Sequence, residues 1–199
     1  FAAGFSATNT ANLGDTYSLV KNCKSESYSF SYDKTVNHTL DSTGAAKIIY
    51  DGCESSTESF GARSQSSVLV TFKDCFGGDN CFGRSLVNYA KFKNCVSGNT
   101  SFCGAPSADM MLSKMFGCNA GNTSFCSGQL SYITRSVLMQ CNAGNDSMFG
   151  NAAEETSIIK CSTGDGSAIR ESSNGSNAIA MGSIAGKNSF GEGILQDDL

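Results

Sequence analysis

One unit of roughly twenty-two residues is restated along most of this chain, and a period of that length leaves few folds open. Aligning on Cys23, Cys53, Cys75, Cys95, Cys118, Cys141 and Cys161 gives spacings of 30, 22, 20, 23, 23 and 20 residues. Ser183 takes the cysteine place in an eighth unit, 22 residues further on. Counting from that place, the third residue is glycine in six units: Gly78, Gly98, Gly121, Gly144, Gly164 and Gly186. The sixth is serine in seven units (Ser29, Ser59, Ser101, Ser124, Ser147, Ser167 and Ser189), with Cys81 standing in once. The seventh is phenylalanine in six: Phe30, Phe60, Phe82, Phe102, Phe125 and Phe190. Three residues before the cysteine runs an apolar column of Val20, Tyr50, Phe72, Phe92, Met115, Leu138, Ile158 and Ala180. Four columns in register over eight units make each unit one turn of a stack.

The local pattern says what kind of turn. KIIYDGC and SVLVTFKDC alternate as short strands do, between Gly, Ser and Asn corners. No window shows a capped amphipathic helix. Leucine-rich repeats fit poorly, because their LxxLxL frame and Asn column are missing, and hexapeptide and calcium-nonapeptide repeats also fail. The expected fold is all-β, a right-handed parallel β-helix of about eight coils with 20–23-residue repeats. Coils stacked at about 4.8 Å would give a rod of roughly 38 Å. Residues 1–17 read as a lead-in or partial coil, 18–191 as the β-helix, and 192–199 as an exit segment. The long first spacing places an insertion near 31–44.

Composition narrows the function. The formal net charge is −4, with one histidine, one proline and no tryptophan. There is no basic footprint for nucleic acid and no apolar run long enough for a membrane span, so neither nucleic acid nor membrane insertion is expected. The chain begins at Phe1, which points to a processed chain or a piece of a longer one.

The repeated side chains offer both chemistry and packing. Seven cysteines in one column could mean disulfides, a metal site or a reactive thiol. Metal sites, however, show tight pairs, whereas these coils give C-x5-C and C-x7-C spacings. A ladder of small buried thiols is the expectation, with no metal and no cofactor. Cys103 and Cys126, each eight residues after a column cysteine, are the candidate disulfide. The phenylalanines read as a stacked core, the serines as a hydroxyl ladder, and the column glycines as turn residues free to take positive φ. His38 is the one histidine and lies in the insertion, which argues against serine hydrolase chemistry. Of the carboxylates weighed for polysaccharide cleavage (Asp51, Asp74, Asp79, Glu154, Glu155, Asp165 and Glu171), Asp51 and Asp74 fall on adjacent coils and could approach one another. The N-x-[ST] triplets at Asn99, Asn122 and Asn145 read as by-products of the repeat, not as glycan sites.

The column two residues before the cysteine carries a different message. It runs Lys21, Asp51, Lys73, Lys93, then Phe116, Met139, Ile159 and Met181. Alternation with the apolar column points it outward, so the later half forms an apolar strip, a candidate interface for copies of the same chain about a threefold axis. A parity change at a corner would instead put these four side chains in the core.

FKNCVSGNTSFCG, MFGCNAGNTSFCSG and FKDCFGGDNCFGRS resemble the asparagine-cysteine and serine-phenylalanine repeats of phage tail fibre and tailspike-like proteins, over residues 18–191. The resemblance implies a β-helical, homotrimeric virion appendage in contact with other virion proteins and with a host-surface glycan or receptor. It carries over no catalytic residue. The expected role is structural and recognitive; a polysaccharide-degrading β-helix enzyme, or an adhesin that is secreted or held at a cell surface, is the alternative.

Overall fold

A computed structural model describes residues 17–27, 47–60, 67–68, 70–83, 86–88, 90–104, 109–125, 132–147, 152–165, 179–184, 186–187 and 195–196. The proposed insertion at 31–44 and the two terminal segments lie outside these, apart from Tyr17 and the pair 195–196.

The described residues form a parallel β-solenoid without a helix. Fourteen short strands follow the chain: β1 Tyr17–Lys21, β2 Lys47–Asp51, β3 Ser67–Val68, β4 Val70–Lys73, β5 Leu86–Asn88, β6 Lys91–Lys93 and β7 Asp109–Met111. After them come β8 Lys114–Phe116, β9 Tyr132–Thr134, β10 Val137–Met139, β11 Ala152–Glu154, β12 Ser157–Ile159, β13 Ile179–Met181 and β14 Leu195–Gln196. They make a nine-stranded sheet, β1-β2-β4-β6-β8-β10-β12-β13-β14, and a five-stranded sheet, β11-β9-β7-β5-β3. A third side is a ladder of single bridges, Lys24–Glu54–Phe76–Val96–Asn119–Asn142–Ser162–Ile184. Both sheets run together through about four turns, from β3 to β11, rather than the eight coils suggested by counting units.

Pairing is in register with the repeat. Phe72 faces Phe92, Phe92 faces Met115, and Met115 faces Leu138 across the long sheet. Because side chains alternate along a strand, one column per sheet faces inward. Three inward columns fill the coil: Tyr50 to Ala180 from the long sheet, Val87, Met110 and Ile133 from the short one, and Phe60, Phe82, Phe102 and Phe125 from the corner that follows the bridge ladder. These four phenylalanines stack nearly parallel at 4.8, 4.9 and 4.9 Å. The Tyr50–Phe72–Phe92 stack, at 5.2 and 5.1 Å, meets them edge-on. Offset stacking within a column and edge-to-face contact between columns are both favourable for aromatic quadrupoles, so two ring ladders fill one interior without a mismatch. Phe30 and Phe190 lie outside the described residues.

Three corners share one build, a residue in the left-handed conformation and then a small one, buried except for Cys23 and Ser183 at the ends of the cysteine column; Phe60, Phe82, Phe102 and Phe125, just after the serine corner, are left-handed as well. At the cysteine corner the left-handed residues are Asn22, Gly52, Asp74, Asn94, Gly117, Gln140, Lys160 and Gly182. At the serine corner they are Glu58, Asn80, Thr100, Thr123 and Asp146, and at the corner between the sheets Leu112, Arg135 and Glu155. Asn, Asp and Gly tolerate this conformation, which explains the NC, DC and GC pairs; Gln140, Lys160 and the threonines are held there by the coils on either side.

Candidate functional site: ladders within and the outward face of the long sheet

A left-handed corner turns the following N–H along the rod axis, and in the protein interior that donor needs an acceptor. The serine column supplies one. The N–H of Cys81 donates to Ser101 Oγ at 3.1 Å, that of Ser101 to Ser124 Oγ at 3.2 Å, and that of Ser124 to Ser147 Oγ at 3.1 Å. Each hydroxyl in turn donates to the carbonyl two residues back, as Ser124 does to Asn122 O at 3.2 Å. Where the column holds Cys81, its sulfur accepts from the Ser59 N–H at 3.4 Å. The inter-sheet corner repeats the device with Ala90 N–H to Ser113 Oγ and Ser113 N–H to Ser136 Oγ, both 3.1 Å. That third ladder was not anticipated from the sequence, since Val70 and Ala90 interrupt its polar identity.

The cysteine column is the same corner with a larger atom. Its thiols donate to the carbonyl two residues back, at 3.3 Å for Cys75 and 3.4 Å for Cys141, and at the end of the column Ser183 Oγ accepts from the Cys161 N–H at 3.2 Å. Cys53, Cys75, Cys95, Cys118, Cys141 and Cys161 are buried and free, and Cys23 is exposed. Hydrogen bonding to Cys118 and burial, against a lowering contact from Cys161, push the Cys141 thiol up to about 12. Desolvation pushes Cys81 up to about 11. A hydrogen bond with Cys95 moves Cys75 the other way, below the ordinary thiol value, against its burial; Cys81 and Cys141 are packed thiols, not poised nucleophiles. Cys103 is likewise a free, buried thiol, donating to Asp109 O at 3.4 Å, against the disulfide expected of it; Cys126 lies outside the described residues.

The glycine column has a different reason from the one expected. None of Gly78, Gly98, Gly121, Gly144, Gly164 and Gly186 takes a positive φ. A Cβ on Gly98, Gly121, Gly144, Gly164 or Gly186 would instead run into the Oδ1 of Asp79, Asn99, Asn122, Asn145 or Asp165 on the preceding coil. The same Oδ1 accepts the next N–H along the chain, as Asn99 Oδ1 does from Asn122 at 2.8 Å and Asn122 Oδ1 from Asn145 at 2.8 Å. Glycine clears the space and the residue after it donates. The N-x-S triplets thus combine a ladder asparagine with a corner serine.

The carboxylates are dispersed. Asp51 and Asp74 do come to one place, but Lys73 stands between them, 3.2 Å from Asp51 Oδ1 and 3.4 Å from Asp74 Oδ2. A hydrogen bond from Asn94, and then the lysine, hold Asp74 below the ordinary carboxylate range, opposite to what a general acid needs. Glu155 pairs with Arg135 at 2.6 Å, Asp79 and Asp165 serve the axial ladder, and Glu171 lies outside the described residues. Among the described residues, no group of three or more His, Cys, Asp or Glu side chains could hold a metal ion, and no helix is long and apolar enough to cross a membrane.

What remains is the outer surface of the nine-stranded sheet. The column two residues before the cysteine points outward throughout, so the alternative of a core position does not hold. Lys21, Asp51 and Lys73 make a charged ladder at 3.7 and 3.2 Å, followed by exposed Lys93. Phe116 is then 41% exposed, Met139 and Ile159 are half-buried, and Met181 is 38% exposed. The neighbouring outward column adds Val137 and Ile179. The four predicted interface residues therefore form one continuous apolar strip in register. Searches with protein-family models, among curated proteins and among solved structures find no match to this chain.

Proposed function

We propose that this chain is a structural and recognition rod of the virion-appendage kind, a tail fibre or tailspike segment that attaches to a host surface without cutting it. The observation that carries the reading is the commitment of the repeat's reactive groups to holding coils together. Buried hydroxyls and ladder carboxylates accept N–H groups of the coil beside them, and the thiols of Cys53 and Cys75 reach carbonyls of the coil before, leaving the outer faces as the part that meets other molecules. Asp51 and Asp74, the pair nearest to a hydrolytic arrangement, are bridged by a lysine.

The test is incubation of the purified chain with a panel of bacterial surface polysaccharides, following both retention and oligosaccharide release. Retention without release supports the proposal. Release of oligosaccharides would make the chain a depolymerase, and retention by none of the glycans would remove the attachment role.

A further inference from the structure

Charge on the outward face of the long sheet cancels rung by rung in the first coils. Lys21, Asp51 and Lys73 alternate in sign at 3.7 and 3.2 Å, and Asp74 takes the other side of Lys73 at 3.4 Å. At β6 and β8 the alternation stops. Lys91 and Lys93 are both exposed on β6, and Lys114 is exposed on β8, where it faces Lys91 directly in register. Among the described residues Lys91, Lys93 and Lys114 make no ion pair within the chain. The Lys93 charge reaches Asp74, but that carboxylate is already held by Lys73 and by Asn94 Nδ2 at 3.0 Å. Like charges opposite one another on neighbouring strands oppose pairing, so the fold keeps this cluster at a cost.

The three lysines stand about 4.8 Å apart across strands and about 6.6 Å apart along β6, close enough for their ammonium groups to share one anion or to hold two. Thr71, half-buried on the coil before, faces Lys91. Phe116, 41% exposed on the coil after, faces Lys93. The cations are thus bounded by a hydroxyl on one side and an aromatic ring on the other. We propose that this cluster is the rod's glycan site and takes an acidic saccharide, its anionic groups on Lys91, Lys93 and Lys114 and the C–H face of a sugar ring on Phe116. The site deepens the attachment role, on which it rests, by naming the class of glycan.

Charge complementarity selects the ligand. The net charge of −4 repels a polyanion at long range, so one that binds must do so through a local positive site. Lysine is a point charge without the fixed fork of arginine, so carboxylate, sulfate and phosphate all suit it. A pyranose carries an anionic substituent and an apolar C–H face within one ring, which matches Lys93 and Phe116 side by side. Nucleic acid calls for a longer basic track than this one.

The experiment is titration calorimetry of the whole chain against polygalacturonate, dextran sulfate and neutral dextran, with polyglutamate and duplex DNA as polyanions of other classes. Which of the first two binds tells whether carboxylate or sulfate is taken. Binding of an acidic glycan but not of dextran is expected, weakening as salt rises from about 20 to 200 mM. Lys91→Gln, Lys93→Gln and Lys114→Gln, checked for fold by circular dichroism, should each weaken it about threefold or more. Arginine at the same positions should keep it, and Lys24→Gln, which removes a lysine paired with Glu54 on another side of the rod, should leave it unchanged. Phe116→Ala should weaken the glycan and not polyglutamate. No binding of either acidic glycan, equal binding of dextran, indifference to the three glutamines, or polyglutamate or DNA bound as tightly as the glycan would overturn the proposal. Retention by neutral glycans that ignores the glutamines would overturn the site and leave the attachment role, whereas retention by no glycan would remove both. Lysine-dependent binding followed by oligosaccharide release would keep the site and remove the non-cutting role alone.

Discussion

Replacing Ser124 separates the corner ladder from mere packing. Ser124 is fully buried, its Oγ accepts the Ser101 N–H at 3.2 Å, and its hydroxyl donates to Asn122 O. In Ser124→Ala the methyl group fits the site, but the Ser101 N–H keeps no acceptor and is shut away from water. An orphaned buried donor costs about 1–3 kcal/mol, so a loss near 2 kcal/mol is expected. For a chain of this size that lowers Tm by about 4–8 °C. Ser124→Cys keeps an acceptor, as Cys81 does for Ser59 at 3.4 Å in the same column, and should cost less than half as much. Thermal and urea denaturation of the three proteins measure the difference. If alanine is as stable as serine, or cysteine as harmful as alanine, the column is filling space and the hydrogen-bond reasoning is refuted.

Other perturbations follow from the same geometry. Gly121→Ala should cost about 1–3 kcal/mol by driving a methyl group into Asn99 Oδ1, and adding Asn99→Ala should recover part of that loss in a double-mutant cycle read by urea denaturation. Phe102→Ala, which opens a gap between Phe82 and Phe125, should cost about 3–5 kcal/mol by the same measure. In the folded chain at pH 8 a thiol-specific disulfide reagent should label Cys23 fast and the buried column only on unfolding. Because folding raises the Cys81 and Cys141 thiols to about 11 and about 12, the folded state binds more protons than the unfolded state above the ordinary thiol range. Stability should be unaffected by these groups below about pH 9 and should fall from there to about pH 12, as urea midpoints across that range will show.

The period made the stack, its strands and its inward and outward columns readable, because in-register pairing turns a sequence repeat directly into a spatial one. Phe116, Met139, Ile159 and Met181 could be assigned to a face from alternation alone. The glycine column could not be explained in this way: its cause is the Asn or Asp of the coil before, some twenty residues earlier, so local turn chemistry offered the wrong reason for Gly121. The left-handed corners were half visible in Asn22, Gly52, Asp74, Asn94 and Gly117, but Gln140 and Lys160 occupy the same conformation and obscured the rule. The third ladder, through Ser113 and Ser136, was hidden for a related reason. A corner filled by Val70 or Ala90 in one coil and Ser113 in the next has no constant residue, only a constant need for something small.

Residue-resolved amide exchange at the corners tests the solenoid most directly. If coils are locked by side-chain acceptors, the N–H groups of Cys81, Ala90, Ser101, Ser113 and Ser124 should exchange as slowly as those of the strands Lys91–Lys93 and Lys114–Phe116. Exchange at these corner amides at the rate of open loops, with protected strands beside them, would contradict the account.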